Sequence, residues 1–510
     1  MKRSELILAA IGLVLLAWGT AWIHAGRGPM RHVSLDGGTA CPAAPVLILD
    51  PAGPVHGSVV VFHGLGASRI VMLTDGQWFA AAGFRVYLVD SPGHGRDTAP
   101  FSFSSNESCA RGLLAALEHR GEITPRRTVL FGHSMGAALA IRLADDFPAA
   151  ATIAVSTAPL VPPHRLPANL LLVAPQMDMP PVLRMESQLA AAAGAPRFAP
   201  ADFLQYRAFR LLPVAWHSHT GALFDPTAIR VMLRWALDAV GASAVPAPDP
   251  NLQAFAGGWL GLLGILLLFP ASASLLTLPV RIREIRPTPP PARPLFSVFS
   301  WTVTLAVAAV ISARWNLCAA LHLYSADYLA CTLLIAGLPL AIWAIGRRSG
   351  SFLGASQPSL LAAPLRAGAL ALLFVVVAGA WLNPQLAEFW LIPARWARFP
   401  FLILALLPIC SAEECALGDS SPLRPPDRAL RFAFFFVLRG LVWLVLLGAL
   451  FGGVSSALLV VIFGAFLAVL SLLQRLGADA LRYRTGSALA AVVFNAILGA
   501  WFLAAAFPLT

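Results

Sequence analysis

A serine with the surroundings of a nucleophile lies in the segment Thr128-Val-Leu-Phe-Gly-His-Ser-Met-Gly-Ala-Ala-Leu-Ala140. An apolar strand pattern runs into Gly132-His-Ser-Met-Gly136, and an alanine-rich helical pattern follows. Glycines two residues before and two residues after Ser134 let a strand and a helix approach closely around a sharp turn that exposes the hydroxyl. The start of the helix also places backbone N–H groups where an oxyanion would form. This arrangement predicts an acyl-transfer nucleophile.

Two earlier segments complete a pattern of strands that end in glycine turns. They are Val59-Val-Val-Phe-His-Gly-Leu-Gly66 and Phe84-Arg-Val-Tyr-Leu-Val-Asp-Ser-Pro-Gly-His-Gly95. With the serine turn, in this order, residues 30–245 resemble the α/β-hydrolase superfamily of esterases, lipases and thioesterases. The resemblance implies a mostly parallel sheet with helices on both faces. It also implies an oxyanion hole formed by the backbone N–H groups of Leu65 and Met135.

A serine hydroxyl needs a general base, and the base needs an orienting acid. In the superfamily the acid follows the serine and the histidine comes last. The acid candidate is Asp178, directly after the apolar run that begins at Asn169. The base lies in Trp216-His-Ser-His-Thr-Gly-Ala-Leu-Phe-Asp-Pro226. His219 is the preferred base because it precedes a short apolar stretch and a final helix, and His217 is the alternative.

The reaction implied by the resemblance is a two-step acyl transfer. The serine attacks a carbonyl carbon, the histidine takes the serine proton, and water releases the acyl-serine. This chemistry requires no metal and no organic cofactor. His133, inside the serine turn, and His63, in the earlier His-Gly turn, are expected to be structural.

The elements that must position these residues are short apolar runs alternating with helical patterns, which is typical of a parallel sheet with crossover helices. The predicted strands are Val46–Leu49, Ser58–Phe62, Arg85–Val89, Thr128–Phe131, Thr152–Val155, Leu170–Val173 and Leu211–Ala215. The predicted helices are Cys109–His119, Ala137–Asp146, Pro181–Ala193 and Pro226–Val240. A proline-rich linker, 246–252, ends the domain at residues 27–245.

The rest of the chain indicates a membrane protein, because its apolar runs reach the length of a spanning helix. Residues 1–26 begin with Lys2 and Arg3 and favour an uncleaved signal anchor, with a cleavable signal peptide as the alternative. The region 253–510 forms a membrane domain with about eight further helices. Their predicted ranges are 253–279, 295–313, 327–346, 366–383, 398–416, 430–451, 455–474 and 486–507.

Basic residues between these runs predict the topology, because cytoplasmic loops are enriched in lysine and arginine. With the N-terminus inside, the short outer loops hold only Arg314, Arg395 and Arg398. The inner segments, which include a polyproline-type loop at 287–294, hold Lys2, Arg3, Arg281, Arg283, Arg286, Arg293, Arg347, Arg348, Arg366, Arg424, Arg428, Arg431, Arg475, Arg482 and Arg484. The hydrolase-like domain is therefore expected outside the cytoplasm, in a cytoplasmic or inner membrane.

Three ionisable residues fall inside or at the end of apolar runs, where charge is costly. Glu413 and Glu414 lie near the cytoplasmic end of one predicted span, and Arg439 lies inside the next. An ion pair between Arg439 and a glutamate would relieve the cost of burying both. The cluster is either such a structural pair or a polar path or lipid headgroup site.

The chain has 510 residues, of which 58% are hydrophobic and 12% charged, with a net charge of +11. The arginines lie between apolar runs, which argues against binding of nucleic acid. Of the six cysteines, only Cys41 and Cys109 fall in the domain outside the membrane, where they either form a disulfide or remain buried thiols.

The function favoured by these patterns is a membrane-anchored serine hydrolase that cleaves a carboxylic ester. Its partners are then a small-molecule or lipid ester and the membrane lipids. Thioester and amide substrates stay open, as does an acyltransferase that uses the same residues. A different class, a transporter or membrane scaffold with a non-catalytic hydrolase-like binding domain, is the alternative.

Overall fold

The computed structural model describes residues 3–161, 163, 165–249, 251–276, 294–348, 362–417 and 425–510. Part of the predicted polyproline loop and the predicted inner residues Lys2, Arg281, Arg283, Arg286, Arg293 and Arg424 lie outside these ranges. The chain divides into two compact units. The sheet-bearing unit comprises Ala17–Leu260, Leu382–Glu388 and Pro508–Thr510. The helical unit comprises Met1–Leu16, Gly261–Trp381 and Phe389–Phe507.

The first unit is built on one sheet of eight strands in the order β1-β2-β4-β3-β5-β6-β7-β8. β1 and β2 run antiparallel to their neighbours, and β3 to β8 pair in parallel. The strands are β1 (Met30–Leu35), β2 (Ala44–Leu49), β3 (Gly57–Phe62), β4 (Phe84–Val89), β5 (Thr128–His133), β6 (Ala151–Val155), β7 (Leu170–Met177) and β8 (Phe209–Ser218). The α/β fold class predicted from the sequence is confirmed.

Helices cover this sheet, and the central strands β3, β5 and β6 are buried along their whole length. Because both faces of these strands are buried, their sequences are short continuous apolar runs. The helices of this unit are α2 (Leu73–Ala81), α3 (Phe103–His119), α4 (Met135–Leu143), α5 (Pro180–Ala193), α6 (Pro200–Leu204) and α7 (Pro226–Ala239), and the N-terminal helix α1 (Arg3–Gly26) precedes them. β1, α2 and α6 were not predicted.

A disulfide joins Cys41, in the loop after β1, to Cys109 in α3. Their Cα atoms lie 5.4 Å apart, within the range that a disulfide spans. The sequence left open whether these cysteines pair, and the structure has them paired.

The helical unit contains long apolar helices. They are α8 (Gln253–Leu276), α9 (Pro294–Arg314), α10 (Ala326–Arg348), α11 (Ala362–Leu382), α13 (Phe399–Leu417), α14 (Pro425–Phe451), α16 (Gly464–Thr485) and α17 (Ala488–Ala506), with the short α12 (Pro393–Trp396) and α15 (Leu458–Ile462) between them. Counting α1, eight helices in the described ranges are long and apolar enough to cross a membrane, and Val298–Arg314 is a shorter apolar helix. These helices are compatible with an integral membrane protein.

The predicted span 455–474 is wrong in its position. The helix there begins at Gly464 and continues to Thr485, after a short 3-10 turn at Ser455–Ala457 and the five-residue α15. The prediction from apolar content alone began and ended too early, because the second half of the helix carries arginines. Two of these arginines pair with a carboxylate of α13. Arg475 and Arg482 both bind Glu414 of α13, at 2.8 and 2.6 Å.

Candidate active site

Ser134 lies between β5 and α4 in a strained backbone conformation. Its φ is 55° and its ψ is −115°, in a region that non-glycine residues rarely adopt and that costs about 1–3 kcal/mol. A hydrogen bond from the Ser134 backbone N–H to Val155 O, 2.9 Å long, ties the turn to the neighbouring strand β6. The conformation leaves the serine half-buried, at the carboxyl end of the sheet.

The two glycines of the turn are required by close backbone contacts. A Cβ atom at Gly132 would lie 2.1 Å from the carbonyl oxygen of Gly136. A Cβ atom at Gly136 would lie 2.1 Å from the carbonyl oxygen of Phe62, at the end of β3. Any side chain at either position would push the helix away from the sheet. The predicted function of the glycines, to let strand and helix approach closely, is confirmed.

The three side chains predicted from the sequence form one hydrogen-bonded chain. His219 Nε2 lies 2.9 Å from Ser134 Oγ, and His219 Nδ1 lies 2.7 Å from Asp178 Oδ1. The Asp178 side chain is fully buried, whereas the His219 side chain is 17% exposed. The imidazole of His219 therefore joins the buried carboxylate of Asp178 to the hydroxyl of the half-buried Ser134.

The alternative base, His217, lies elsewhere. Its Nδ1 is 2.7 Å from Ala215 O, and its Nε2 is 3.6 Å from the Asp225 carboxylate. Asp225, the residue before α7, caps that helix by accepting a 2.7 Å hydrogen bond from the Ala228 N–H. The geometry thus favours His219 over His217 as the partner of the serine.

Two residues hold the backbone of His219 in place. His133 Nε2 donates to the carbonyl oxygen of His219 at 3.0 Å, and Ser156 Oγ donates to the same oxygen at 2.7 Å. Burial lowers the pKa of His133 to about 3, so its ring is neutral at ordinary pH. His133 is therefore structural, as expected. Ser156 was missed, although it directly follows the strand beside β5.

The acid has a second carboxyl group behind it. Glu186, in α5, is 2% exposed, and its Oε1 accepts a 3.1 Å hydrogen bond from the Thr157 N–H. Burial, and then the negative charge of Asp178, raise the pKa of Glu186 to about 8. Glu186 thus holds its proton near neutral pH and adds no second negative charge beside Asp178. No sequence signal marks Glu186, since it lies within an ordinary amphipathic helix.

The loop after β3 lies against the serine, as the predicted oxyanion hole requires. A Cβ atom at Gly64 would lie 3.2 Å from the Cβ atom of Ser134, and Leu65 is the next residue. His63 fixes this loop, because its Nδ1 donates to Gly64 O at 2.8 Å and its Nε2 accepts from the Ser91 N–H at 3.0 Å. Met135 is the first residue of α4, so its N–H has no partner within the helix.

A buried ionic network supports the turn after β4. Asp90 accepts a 2.8 Å hydrogen bond from the Arg69 N–H and also pairs with the Arg69 guanidinium. Glu388, from the segment Leu382–Glu388 of the same unit, pairs with Arg96 at 2.5 Å. The sequence did not reveal this network, because Glu388 is almost three hundred residues from Arg96 (292 positions).

Two apolar side chains beside the acid and the base are exposed. Met177 directly precedes Asp178 and is 63% exposed, and Trp216 is 86% exposed. Trp216 also has a positive φ of 59°, which is unusual for a bulky residue. Met177 lies opposite Ser218 in the β7–β8 pairing, so both side chains lie on elements that carry the predicted site. Both are exposed apolar side chains on the strands that end directly before Asp178 and His219.

The described part of the chain contains no group of three or more histidine, cysteine, aspartate or glutamate side chains that could hold a metal ion. The polar groups around Ser134 bind one another or the backbone, as the preceding distances show. The arrangement can therefore activate a hydroxyl by proton transfer and stabilise negative charge with backbone N–H groups.

Part of the chain is similar to known hydrolases. Residues 53–194, less than half of the chain, match the family model described as serine aminopeptidase, S33. The sheet-bearing unit is an α/β-hydrolase domain. The matched range of the hydrolase domain includes Ser134 and Asp178 and ends before His219.

One curated relative is a 2-hydroxy-6-oxononadienedioate/2-hydroxy-6-oxononatrienedioate hydrolase from a Pseudomonas species. It is 32% identical over 105 residues, which are 20% of this chain and 35% of the relative. The chain thus matches about a third of that relative's length.

Among solved structures, the hydrolase domain is similar to an α/β serine hydrolase homologue from Coxiella burnetii, at 16% identity and a TM-score of 0.33, over 41% of this chain and 96% of that chain. It is also similar to a monoacylglycerol lipase from Paleococcus ferrophilus, at 16% identity and a TM-score of 0.30, over 38% of this chain and 99% of that chain.

Proposed function

We propose that this protein is a membrane-anchored serine hydrolase that cleaves a carboxylic ester through an acyl-serine intermediate. The observation that carries the proposal is the hydrogen-bonded chain from Ser134 Oγ through His219 to Asp178. Such a chain couples a weak nucleophile to a base whose orientation a carboxylate holds. The match to a family of hydrolases supports the same reaction type.

In the proposed first step, Ser134 Oγ attacks the carbonyl carbon of the ester, and His219 Nε2 takes the hydroxyl proton. Asp178 stabilises the imidazolium through its 2.7 Å hydrogen bond to Nδ1. The backbone N–H groups of Leu65 and Met135 stabilise the negative oxygen of the tetrahedral intermediate. His219 then gives the proton to the leaving alkoxide, and the acyl-serine remains.

In the proposed second step, water attacks the acyl-serine carbonyl and His219 accepts a proton from that water. The tetrahedral intermediate again places its negative oxygen in the same N–H pair. Its collapse releases the carboxylic acid and returns the proton to Ser134 Oγ. The contacts of His133 and Ser156 with the His219 carbonyl keep the imidazole in position through both steps.

The exposed apolar side chains of Met177 and Trp216, on the strands that end directly before Asp178 and His219, support a substrate with an apolar acyl group. When a ligand covers exposed apolar side chains of this kind, binding becomes more favourable by about 25 cal/mol per Å² of apolar area that is buried. An ester is the acyl compound that a membrane-anchored enzyme meets in lipids. We therefore infer that the enzyme favours apolar carboxylic esters over thioesters and amides.

A panel of esters of increasing acyl length, with matched thioesters and amides, tests this proposal on the full-length protein. We expect hydrolysis to be fastest for an apolar ester and absent in Ser134→Ala. Equal hydrolysis by Ser134→Ala would contradict the proposed nucleophile. A faster amide or thioester would contradict the proposed substrate class but not the reaction type.

We further propose that the N-terminus is cytoplasmic and that the hydrolase domain lies on the extracytoplasmic side. The excess of arginine in alternate loops supports this orientation. The Cys41–Cys109 disulfide also supports it, because disulfides persist in oxidising compartments. A membrane-impermeant fluorophosphonate should label Ser134 in intact cells. Labelling that appears only after lysis would contradict the orientation and leave the activity intact.

A further inference from the structure

A cavity of about 280 Å³ lies within the helical unit. Its size is close to the lower end of ligand pockets, which hold about 300–1,000 Å³. Most of its lining is apolar and comes from α10, α13, α14, α16 and α17. Its polar lining side chains are Glu413, Arg439, Trp443, Ser471, Gln474 and Asn495.

The charged groups at the cavity neutralise each other. Arg439 Nη2 donates to Glu413 Oε2 at 2.9 Å, and Arg439 Nε lies 2.7 Å from Glu413 Oε1. The ion pair that the sequence suggested for Arg439 is thus formed with Glu413. Because one positive and one negative charge meet here, the cavity wall carries no net charge and does not require a charged ligand.

Two amides at the cavity keep unused hydrogen-bonding groups. Gln474 Nε2 donates to the Asn495 backbone oxygen at 2.7 Å. In the part of the chain that the structure describes, Gln474 Oε1 and both amide atoms of the Asn495 side chain have no partner. Asn495 is 0% exposed and Gln474 is 1% exposed. Leaving a buried polar group unpaired costs about 1–3 kcal/mol, so the protein alone leaves this end of the cavity unsatisfied.

We propose that this cavity binds a lipid with a single apolar chain and an uncharged, hydroxyl-bearing head. A hydroxyl both donates and accepts, so it can donate to Gln474 Oε1 or Asn495 Oδ1 and accept from Asn495 Nδ2. A carboxylate only accepts, and an ammonium only donates, so each would leave part of this set unpaired. At about 30 Å³ for a water-sized group, the volume holds roughly nine such groups, which suits a medium-length chain.

The proposed lipid site is separate from the proposed ester hydrolysis, and the lipid-binding proposal does not depend on that activity. None of the lining side chains belongs to the serine, histidine and aspartate described above. The test can therefore be read in a Ser134→Ala background, in which the proposed esterase activity is absent.

Photolabelling of the full-length protein in lipid nanodiscs tests the proposal directly. The probe is a medium-chain alcohol that carries a diazirine on its alkyl chain, and a fatty acid and an alkylamine of the same length are compared with it. We expect the alcohol to label peptides from α13, α14 and α17 at cavity residues, more strongly than either charged probe. Unlabelled alcohol of the same chain length should compete.

A cavity-filling pair of variants controls for labelling from the surrounding lipid. Gly440 and Gly448 both lie in α14, and at both a new Cβ atom would meet no atom within 4 Å. Of these two glycines, Gly440 lines the cavity and Gly448 does not. We expect Gly440→Leu to reduce cavity labelling about tenfold and Gly448→Leu to leave it unchanged.

A second variant separates ligand binding from a structural role of the amide. Leucine has the branching of asparagine with two methyl groups in place of the amide oxygen and nitrogen, so Asn495→Leu removes the unpaired polar atoms and adds volume beside the cavity. We expect about fivefold weaker labelling by the alcohol, which corresponds to about 1 kcal/mol for one hydrogen bond, with no loss of thermal stability in the absence of probe.

Three results would overturn the proposal. Labelling by the alcohol that is equal in wild type and Gly440→Leu would show that the cavity is not the site. Stronger labelling by the fatty acid or the alkylamine would contradict the uncharged head. A loss of stability in Asn495→Leu with unchanged labelling would mean that the amides hold only water or other parts of the protein.

Discussion

The hydrolase domain and the helical unit both bury carboxylates, but they satisfy them in different ways. Asp178 binds His219, and the chain of hydrogen bonds ends at the half-buried hydroxyl of Ser134. Glu414, in α13, is held between Arg475 and Arg482 at 2.8 and 2.6 Å. The hydrogen bonds of the first carboxylate therefore lead to a hydroxyl that is only half-buried. The second carboxylate is paired with two buried arginines.

This difference shows what a buried charge in each region does. Under the proposed function, the arrangement in the hydrolase domain sets the rate of a reaction, and the loss of one partner should leave the fold intact. In the helical unit, the paired charges connect α13 to α16, and the loss of one partner leaves an uncompensated charge away from water. Variants should therefore affect activity in one region and stability in the other.

The largest effect is expected from the two competing histidines. His219→Ala removes the base that contacts Ser134, so we expect ester hydrolysis to fall about 10⁴-fold or more, with thermal stability within about 1 kcal/mol of wild type. His217→Ala should change the rate by less than about threefold, because the ring nitrogens of His217 lie against Ala215 O and the Asp225 carboxylate rather than Ser134. Steady-state kinetics on the same ester measure both. Equal losses would remove the distinction between the two.

The helical unit should show the next largest effect, on stability. Glu414→Gln leaves Arg475 and Arg482 without their shared carboxylate, and we expect a loss of about 3–5 kcal/mol in the free energy of unfolding. Asp479→Asn is the matched control, since Asp479 is 46% exposed and should cost less than about 1 kcal/mol. Denaturation of the purified protein in detergent measures both. A stable Glu414→Gln variant would contradict this account of the cluster.

Glu186 should give a smaller, pH-dependent effect on the stability of the hydrolase domain. The unfolded chain releases this proton near the ordinary pKa of 4.5, whereas the folded protein keeps it up to a pKa of about 8. The folded state therefore binds more protons between these values, and the free energy of unfolding falls as the pH rises through that range.

In Glu186→Gln this fall should be reduced by on the order of 1 kcal/mol per pH unit. Denaturant unfolding at a series of pH values measures the slope, and the exposed Glu118→Gln serves as the control. A Glu186→Gln variant with the slope of wild type would show that Glu186 is ionised in the folded protein.

The smallest effect is expected at Ser156. Its hydroxyl supports His219 only through the backbone carbonyl, and a second donor, His133, remains in Ser156→Ala. Loss of one hydrogen bond, about 1 kcal/mol, should lower kcat about fivefold with little change in KM. Ser187→Ala, on the exposed face of α5, should have no effect. A rise in KM alone at Ser156→Ala would point to substrate contact instead.

The sequence predicted the parts of the fold whose signals are local. The seven predicted strands lie within the observed ones, because buried parallel strands read as short apolar runs. β1 was missed because Met30-Arg-His-Val-Ser-Leu35 is a polar edge strand, and α2 because it is buried on most sides and has no amphipathic period. The Ser134 turn was predictable because the close approach of strand and helix requires glycine at positions 132 and 136, and this spacing is visible in the sequence.

Contacts between distant positions that no sequence motif marks could not be predicted. Glu388 and Arg96 lie 292 positions apart in the sequence, and Glu186 and Thr157 lie 29 positions apart with β7 between them. The position of α16 was also wrong, because hydropathy treats Arg475 and Arg482 as unfavourable in a span. In the structure both arginines pair with Glu414, and Arg475 also pairs with Asp479.

The most direct test of the central claim is to locate the adduct of a fluorophosphonate on the full-length protein by peptide mass spectrometry. The account predicts one adduct, on the peptide that contains Ser134, and its absence in Ser134→Ala, with reduced labelling in His219→Ala and normal labelling in His217→Ala. Adduct formation that persists in Ser134→Ala, or none in folded wild-type protein under conditions that label a reference serine esterase, would contradict it.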